Sequence, residues 1–492
     1  MMKRNSIYIK CLLLTTLSLS SCHKDLLEPI PESVLTTVNF YGSAKDIDQA
    51  VIGAYSGFQA RKPTDYLLLE IPSDNLYASA NTSVSGANAL DILALTTDND
   101  LVANFWSANY SVIFRANAVL VNIDKPLDYK ATQKDQFIGE AKFLRALMYF
   151  DLVRLYGGVP KVTTLLSAEA ARQVPRASEE EIYGLIVDDL LDAINKLPQT
   201  FNVRGRASKG AAIALLGKVY VYQKNWIEAE KQLAKLFTAP YTYGLVTNFA
   251  DLWKLTNENN SESIFALTYI EGSNAHTLST AFIPNGGAPG IVDRGAEVAL
   301  PSWSLHKKYI TGDTRKAATI TEMWRAPAKP NDPLTWYPFV AKYAVPHVYG
   351  SSGLDLPVLR FADVVLLYAE VLYERNKPAE ALIELNKVRQ RAFGNASQNY
   401  LLSGITNSTD FIDKLFLERQ LELAYENERW FDLVRSGKYL NFTSEERPYN
   451  PATSTALSVA VATRIDLKYF PIPLKEIEKA APGVLTQNKG YN

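Results

Sequence analysis

The chain has 492 residues, 47% of them hydrophobic, with 51 basic side chains against 52 acidic ones. That near-neutral balance argues against nucleic acid and against an electrostatic membrane patch as partners. The two cysteines, Cys11 and Cys22, leave nothing beyond residue 22 for a disulfide, a thiol nucleophile or a thiolate metal site.

In chain order, Lys3 and Arg4 followed by the short apolar run 7–19 read as a secretory signal, too short for a spanning helix. The run ends in Leu19-Ser20-Ser21-Cys22, the pattern of a lipoprotein cleavage site, so residues 1–21 are expected to be removed and Cys22 lipidated. More than one acyl chain on Cys22 makes such an anchor stable. Loss of Lys3, Arg4 and Lys10 leaves a mature net charge of about −4. Residues 25–38, with Pro29 and Pro31, are expected to form an extended tether.

Helical patterns follow at about 43–59, 100–123, 133–156 and 178–196. In the third, Phe137, Ala141, Leu144, Met148, Leu152 and Leu155 make one stripe. Phe143, Leu147 and Phe150 make another, so this helix is expected to be buried on more than one face. It stops at Gly157-Gly158-Val159-Pro160. Residues 211–241 fit a tetratricopeptide-like helix hairpin through Leu216, Gly217, Tyr220, Ala229 and Leu233. The small residues Gly217 and Ala229 stand where two helices would touch, and Ala369 and Ala381 repeat that spacing in 361–391. Such hairpins cover one another's apolar faces by stacking.

Residues 239–357 are rich in Gly, Pro, Asn and aromatics, with short strand-like runs such as 263–269. Loops this long in a compact protein are usually functional. A helix at 410–435 follows. Along it Glu418, Arg419, Glu422, Glu426, Arg429, Asp432 and Arg435 stand three or four apart and are expected to pair along the helix.

Five segments then resemble the SusD/RagB family of outer-membrane nutrient-binding lipoproteins. They are Ala141 to Phe150 running on to Pro160, and Gly217 to Tyr220 running on to Trp226. Next come Val358 to Asp363 with Tyr368 to Glu370 and Asn386 to Arg389, and Glu418 to Arg435. Phe470-Pro471-Ile472-Pro473 with Gln487, Asn488, Gly490 and Tyr491 close the set. Asn427 departs from the family pattern, which commonly has Gly there. The resemblance implies a mainly α fold in which four tetratricopeptide-like helix pairs support a loop-rich region with a few short strands. It implies a single domain over 22–492, made of an N-terminal region at about 22–225 and a C-terminal one at about 265–492. It also implies a glycan ligand and a TonB-dependent outer-membrane transporter as partner, with a peptide as the alternative ligand.

No catalytic constellation emerges. The four histidines His23, His276, His306 and His347 are scattered, the last three expected in loops or at the surface, and no metal site is expected. No nucleophile elbow or phosphate-binding loop occurs, and Asn285-Gly286-Gly287 reads as turn chemistry. The sequence therefore predicts a binder without cofactor. A sugar offers an apolar C–H face and a rim of hydroxyls, so aromatic rings beside amides, carboxylates or Arg suit it. Two loop regions carry that mixture. One holds Asp74, Asn75, Tyr77 and Asn81, running on to Asn88 and Asp91. The other holds Trp324, Arg325, Trp336 and Tyr337, running on to Tyr349. Trp106, Tyr110, Trp226, Trp303 and Tyr309 are expected to serve packing.

Overall fold

A computed structural model describes residues 40–200, 203–441, 444–445, 449–450, 455–456, 459–460 and 468–491. The signal segment, Cys22 and the tether lie outside these residues. Helix α1 (Ala44–Arg61) starts on a capping box in which Ser43 and Asp46 satisfy each other's backbone N–H. Helices α2 (Asp100–Asn122), α3 (Gln133–Tyr156) and α4 (Glu179–Lys196) follow, the last on a Ser178–Glu181 capping box. The expected bounds of all four differ from these by no more than two residues.

Helix α3 is buried on every face over its last two-thirds, as its two apolar stripes require. It packs between α2 and α4, and Gly157 ends it with φ 73°. Helices α5 (Lys209–Tyr222) and α6 (Trp226–Leu233) form the expected hairpin. Gly217 is needed there: a Cβ on it would sit 2.4 Å from Leu233 Cδ2. Helices α7 (Phe361–Glu374) and α8 (Pro378–Phe393) repeat the arrangement, with Ala369 and Ala381 fully buried.

The predicted helix at 410–435 is instead two helices, α9 (Ser408–Leu423) and α10 (Arg429–Arg435). Tyr425 and Asn427 adopt φ of 68° and 72° between them, a left-handed break that Asn tolerates better than most residues.

The charged residues of α9 and α10 pair mainly across elements rather than along the helix. Arg315 reaches Glu418 at 2.6 Å, and Glu422 accepts from Arg360 and Arg391 at 2.7 and 2.5 Å. Arg419 bridges Asp363 and Asp432 at 2.7 and 2.8 Å, and Arg435 reaches Glu370 at 2.5 Å. A lattice of this kind fixes which element sits beside which, since each buried charge is tolerable only against its partner.

The long region between the hairpins builds small antiparallel sheets. Strand β1 (Leu76–Ala78) pairs with β3 (Ala299–Pro301), and β2 (Ser263–Leu267) with β6 (Leu356–Arg360). Strands β4 (Ile320–Trp324) and β5 (Thr335–Val340) form a hairpin with an irregularity between Thr321 and Met323. A small second core of Ile283, Ala288, Val292, Leu300 and Phe339 lies beneath this hairpin.

The three histidines beyond the tether are buried rather than at the surface, although His276 and His347 do lie in irregular stretches as expected. Each ring is held by hydrogen bonds: His276 to Leu354, His306 to Glu322 and His347 to Thr280 and Val345.

Candidate binding site

Strand β1 delivers the first site residues by alternation. Leu76 and Ala78 face the core, and Tyr77 between them faces outward. Asp74 and Asn75, just before the strand, are buried at 5% and 0% exposure. Asp74 accepts from Arg429 at 2.6 and 2.9 Å and from Lys308 at 3.0 Å. Burial alone would raise its pKa, but these cations hold the carboxyl well below the usual range. Asn75 donates to Glu70 and accepts from Gln420, both at 2.9 Å. Both side chains are committed to the interior and cannot meet an external ligand, which corrects their place among the expected site residues. Asn88 is exposed on the short helix Ala87–Asp91, whereas Asp91 is buried.

Tyr77 and Asn81 do meet Tyr337, across the β1–β3 pair and β5. Together with Ser79, Ala80, Glu297, Leu300, Pro338 and Tyr449 they line a shallow pocket of about 240 Å³. Its floor is organised by Glu297, 3% exposed, whose Oε1 accepts from Asn81 Nδ2 at 2.7 Å, Ser79 Oγ at 2.9 Å and Tyr337 OH at 2.6 Å. The other oxygen accepts from the Asn285 N–H at 2.9 Å. Burial raises the Tyr337 phenol, and the hydrogen bond to Glu297 raises it further, so Tyr337 stays protonated and donating.

Trp324 supports this wall without lining the pocket. Its ring centroid lies 5.4 Å from that of Tyr337, and its indole N–H donates to the Gly287 carbonyl at 2.7 Å. The Asn285-Gly286-Gly287 turn is thus the seat of the indole. Gly287 has φ 80°, and a Cβ on it would meet the Asp293 carbonyl oxygen at 2.3 Å. Arg325, half-buried, follows at the end of β4.

Trp336 points to the opposite side of β5, where it packs at 5.5 Å on His306 and 5.8 Å on Tyr449. Trp303 stacks on the same His306 ring at 4.7 Å. The Trp336 indole N–H and the Tyr449 hydroxyl are both buried, and neither completes a hydrogen bond among the described residues. Tyr349 is 44% exposed, with the Arg294 guanidinium 4.0 Å above its ring.

Of the eight residues named from sequence, the pocket gathers Tyr77, Asn81 and Tyr337. Trp324 and Trp336 buttress it, Arg325 stands at the end of β4, and Asp74 and Asn75 face inward. Ser79, Glu297 and Tyr449 escaped the sequence reading. Glu297 and Tyr449 lie more than two hundred residues from Tyr77 with no local motif, although the glycine-rich run before Glu297 marked its turn. Rings facing hydroxyls and amides suit hydrogen-bonded stacking on a polyol. Among the described residues no three His, Cys, Asp or Glu side chains could hold a metal ion.

Comparison with known proteins places this geometry in context. The SusD family profile matches residues 296–491, and a profile described as starch-binding and associating with the outer membrane matches residues 25–221. A SusD-like protein of Formosa agariphila is 28% identical, with 93% of this chain and 94% of that one covered. A solved laminarin-binding SusD-like protein superposes with a TM-score of 0.75 at 25% identity, covering 92% of this chain and 100% of that one. A surface glycan-binding protein A from Bacteroides thetaiotaomicron, solved with laminarihexaose, has a TM-score of 0.74 at 22% identity, over 90% of this chain and 99% of that one.

Proposed function

The chain belongs to the SusD family, and we propose that it captures an oligosaccharide in the Tyr77–Tyr337–Tyr449 pocket without catalysing its breakdown. The observation that carries this reading is the convergence of three tyrosines from distant segments over a floor of amide and hydroxyl groups. Rings of this kind stack on sugar faces without a deep cavity, and the exposed Asn81 amide stands beside them for a ligand hydroxyl. The laminarin-binding relative supports a glycan as the ligand class.

The protein would work at the outer membrane, held by lipid on Cys22 and facing the exterior, and pass its ligand to a TonB-dependent transporter. The leader pattern and the outer-membrane association of the matching profile support that location. Cys22→Ala is expected to move the protein from the membrane to the soluble fraction, read by fractionation and amino-terminal mass.

A glycan array on the protein truncated before residue 22 tests the binding reading, followed by titration calorimetry on Tyr77→Ala and Tyr337→Ala. Each substitution is expected to cost roughly 1–3 kcal/mol of binding, about tenfold or somewhat more in affinity. Trp324→Ala and Trp336→Ala act behind the rings and are expected to cost less. An array on which peptides bind and glycans do not would replace the glycan with the peptide alternative. Reducing sugar released by the purified protein, and abolished by one Asp or Glu substitution, would defeat the non-catalytic reading.

A further inference from the structure

We propose that Glu297 is the positioning residue of the binding pocket, holding Tyr337 and Asn81 in register for the ligand through hydrogen bonds to a single carboxylate oxygen. The inference rests on the reading of the pocket as the ligand site. Three separate stretches of chain meet at this carboxylate: the turn after β1 through Ser79 and Asn81, β5 through Tyr337, and the glycine turn through the Asn285 N–H.

Two features separate this arrangement from ordinary packing. First, Glu297 has φ 44°, the left-handed region that a side chain of its kind rarely enters. Strain of that kind persists where the surroundings over-determine the conformation, and it concentrates at binding and catalytic sites. Second, the carboxylate spends its acceptor capacity on groups that line the pocket or turn around it. Asn81 is exposed, and Tyr337 is half-buried with its ring against Trp324. A free Asn81 amide would rotate in solvent and a free Tyr337 phenol would swing with its hairpin. Tied to one oxygen, they present their polar edge and ring at a fixed separation, so less freedom is lost when the ligand binds.

Two variants separate positioning from bulk stability. Glu297→Gln keeps a carbonyl oxygen for Ser79, Asn81 and Tyr337 but loses the acceptor for the Asn285 N–H, so it is expected to lower the unfolding midpoint while binding within about threefold of the native affinity. Glu297→Gly removes the carboxylate but suits the left-handed backbone, so it is expected to fold while losing about tenfold or more in affinity. The probes are laminarihexaose and each glycan that the native protein retains on the array, measured by calorimetry with the unfolding midpoint recorded in parallel.

A folded Glu297→Gly that binds as tightly as the native protein overturns the inference and leaves the glycan reading intact. A native protein that retains no glycan at all overturns both. Should Glu297→Gly fail to fold, Tyr337→Phe removes one of the three donors, keeps the ring and leaves the backbone untouched. It is expected to weaken binding by about threefold or more, and unchanged affinity there would overturn the inference equally.

Discussion

The imidazole of His276 donates from Nε2 to the Leu354 carbonyl at 2.8 Å and accepts at Nδ1 from the Leu278 N–H at 3.1 Å. A second proton on Nδ1 would displace that N–H, and burial opposes the charged ring, so the pKa falls from 6.5 to about 4. The native state therefore binds fewer protons than the unfolded chain between those values. Stability from this residue is complete above about pH 6.5 and drains as pH falls toward 4, by at most about 3 kcal/mol. Denaturant unfolding at pH 7 and at pH 4.5 measures it. His276→Gln, which does not titrate, is expected to show a flatter dependence than the native protein, and parallel curves would reject the assignment. The sequence offered His276 only as a lone histidine in a loop-rich stretch. Its burial depends on a backbone bridge between His276 and Ser352, which no local pattern announces. Asp74 shows the same blindness. An acidic residue beside Asn and Tyr suits a sugar site by composition, but its partner Arg429 lies 355 positions away and claims it for the interior.

The elements were far more legible than the site, because helices are written locally. Ser178 with Glu181, the stripes of α3, and the Gly217–Ala229 pair are all signals within one or two turns, and each element formed where expected. The exception, the break between α9 and α10, was written as Tyr425 and Asn427 in a run whose charge spacing continued to look helical. Those charges serve to seat α9 rather than to stiffen it. Glu422 lies among Arg315, Arg360 and Arg391 at 3.4, 2.7 and 2.5 Å, with no exposure at its carboxylate. Glu422→Ala would leave cations buried without their acceptor, and a loss of about 3–5 kcal/mol is expected. Removing an exposed partner, as in Lys231→Ala beside Glu228, is expected to cost less than about 1 kcal/mol. Urea unfolding of the two variants decides between a seated lattice and a decorative one, since similar small losses would fit only the latter.

On the scale of the whole molecule, the N-terminal and C-terminal regions are stitched together at several depths. Strand β1 pairs with β3, and Asp74, Asn75 and Glu70 are bound by Arg429, Gln420 and the Asn427 N–H. The closing segment returns to the first half, where the Phe470 N–H donates to the Leu155 carbonyl at 2.8 Å. One hydrophobic core runs from Ile47 in α1 to Tyr491 near the end of the chain. The pocket itself is divided, with Tyr77 and Asn81 from one region and Glu297, Tyr337 and Tyr449 from the other. We therefore expect residues 22–492 to unfold as one cooperative unit, although chains of this length often unfold in stages. Scanning calorimetry should show a single transition. A ligand at a hundred times its dissociation constant should move the whole of it, adding about 2.7 kcal/mol of stability. Separately expressed fragments cut near residue 225 should each lack native near-ultraviolet dichroism, because each would expose half of a shared core. Two resolved transitions, with ligand raising only one, would show instead that the regions are independent bodies and that the pocket is assembled by docking rather than by folding.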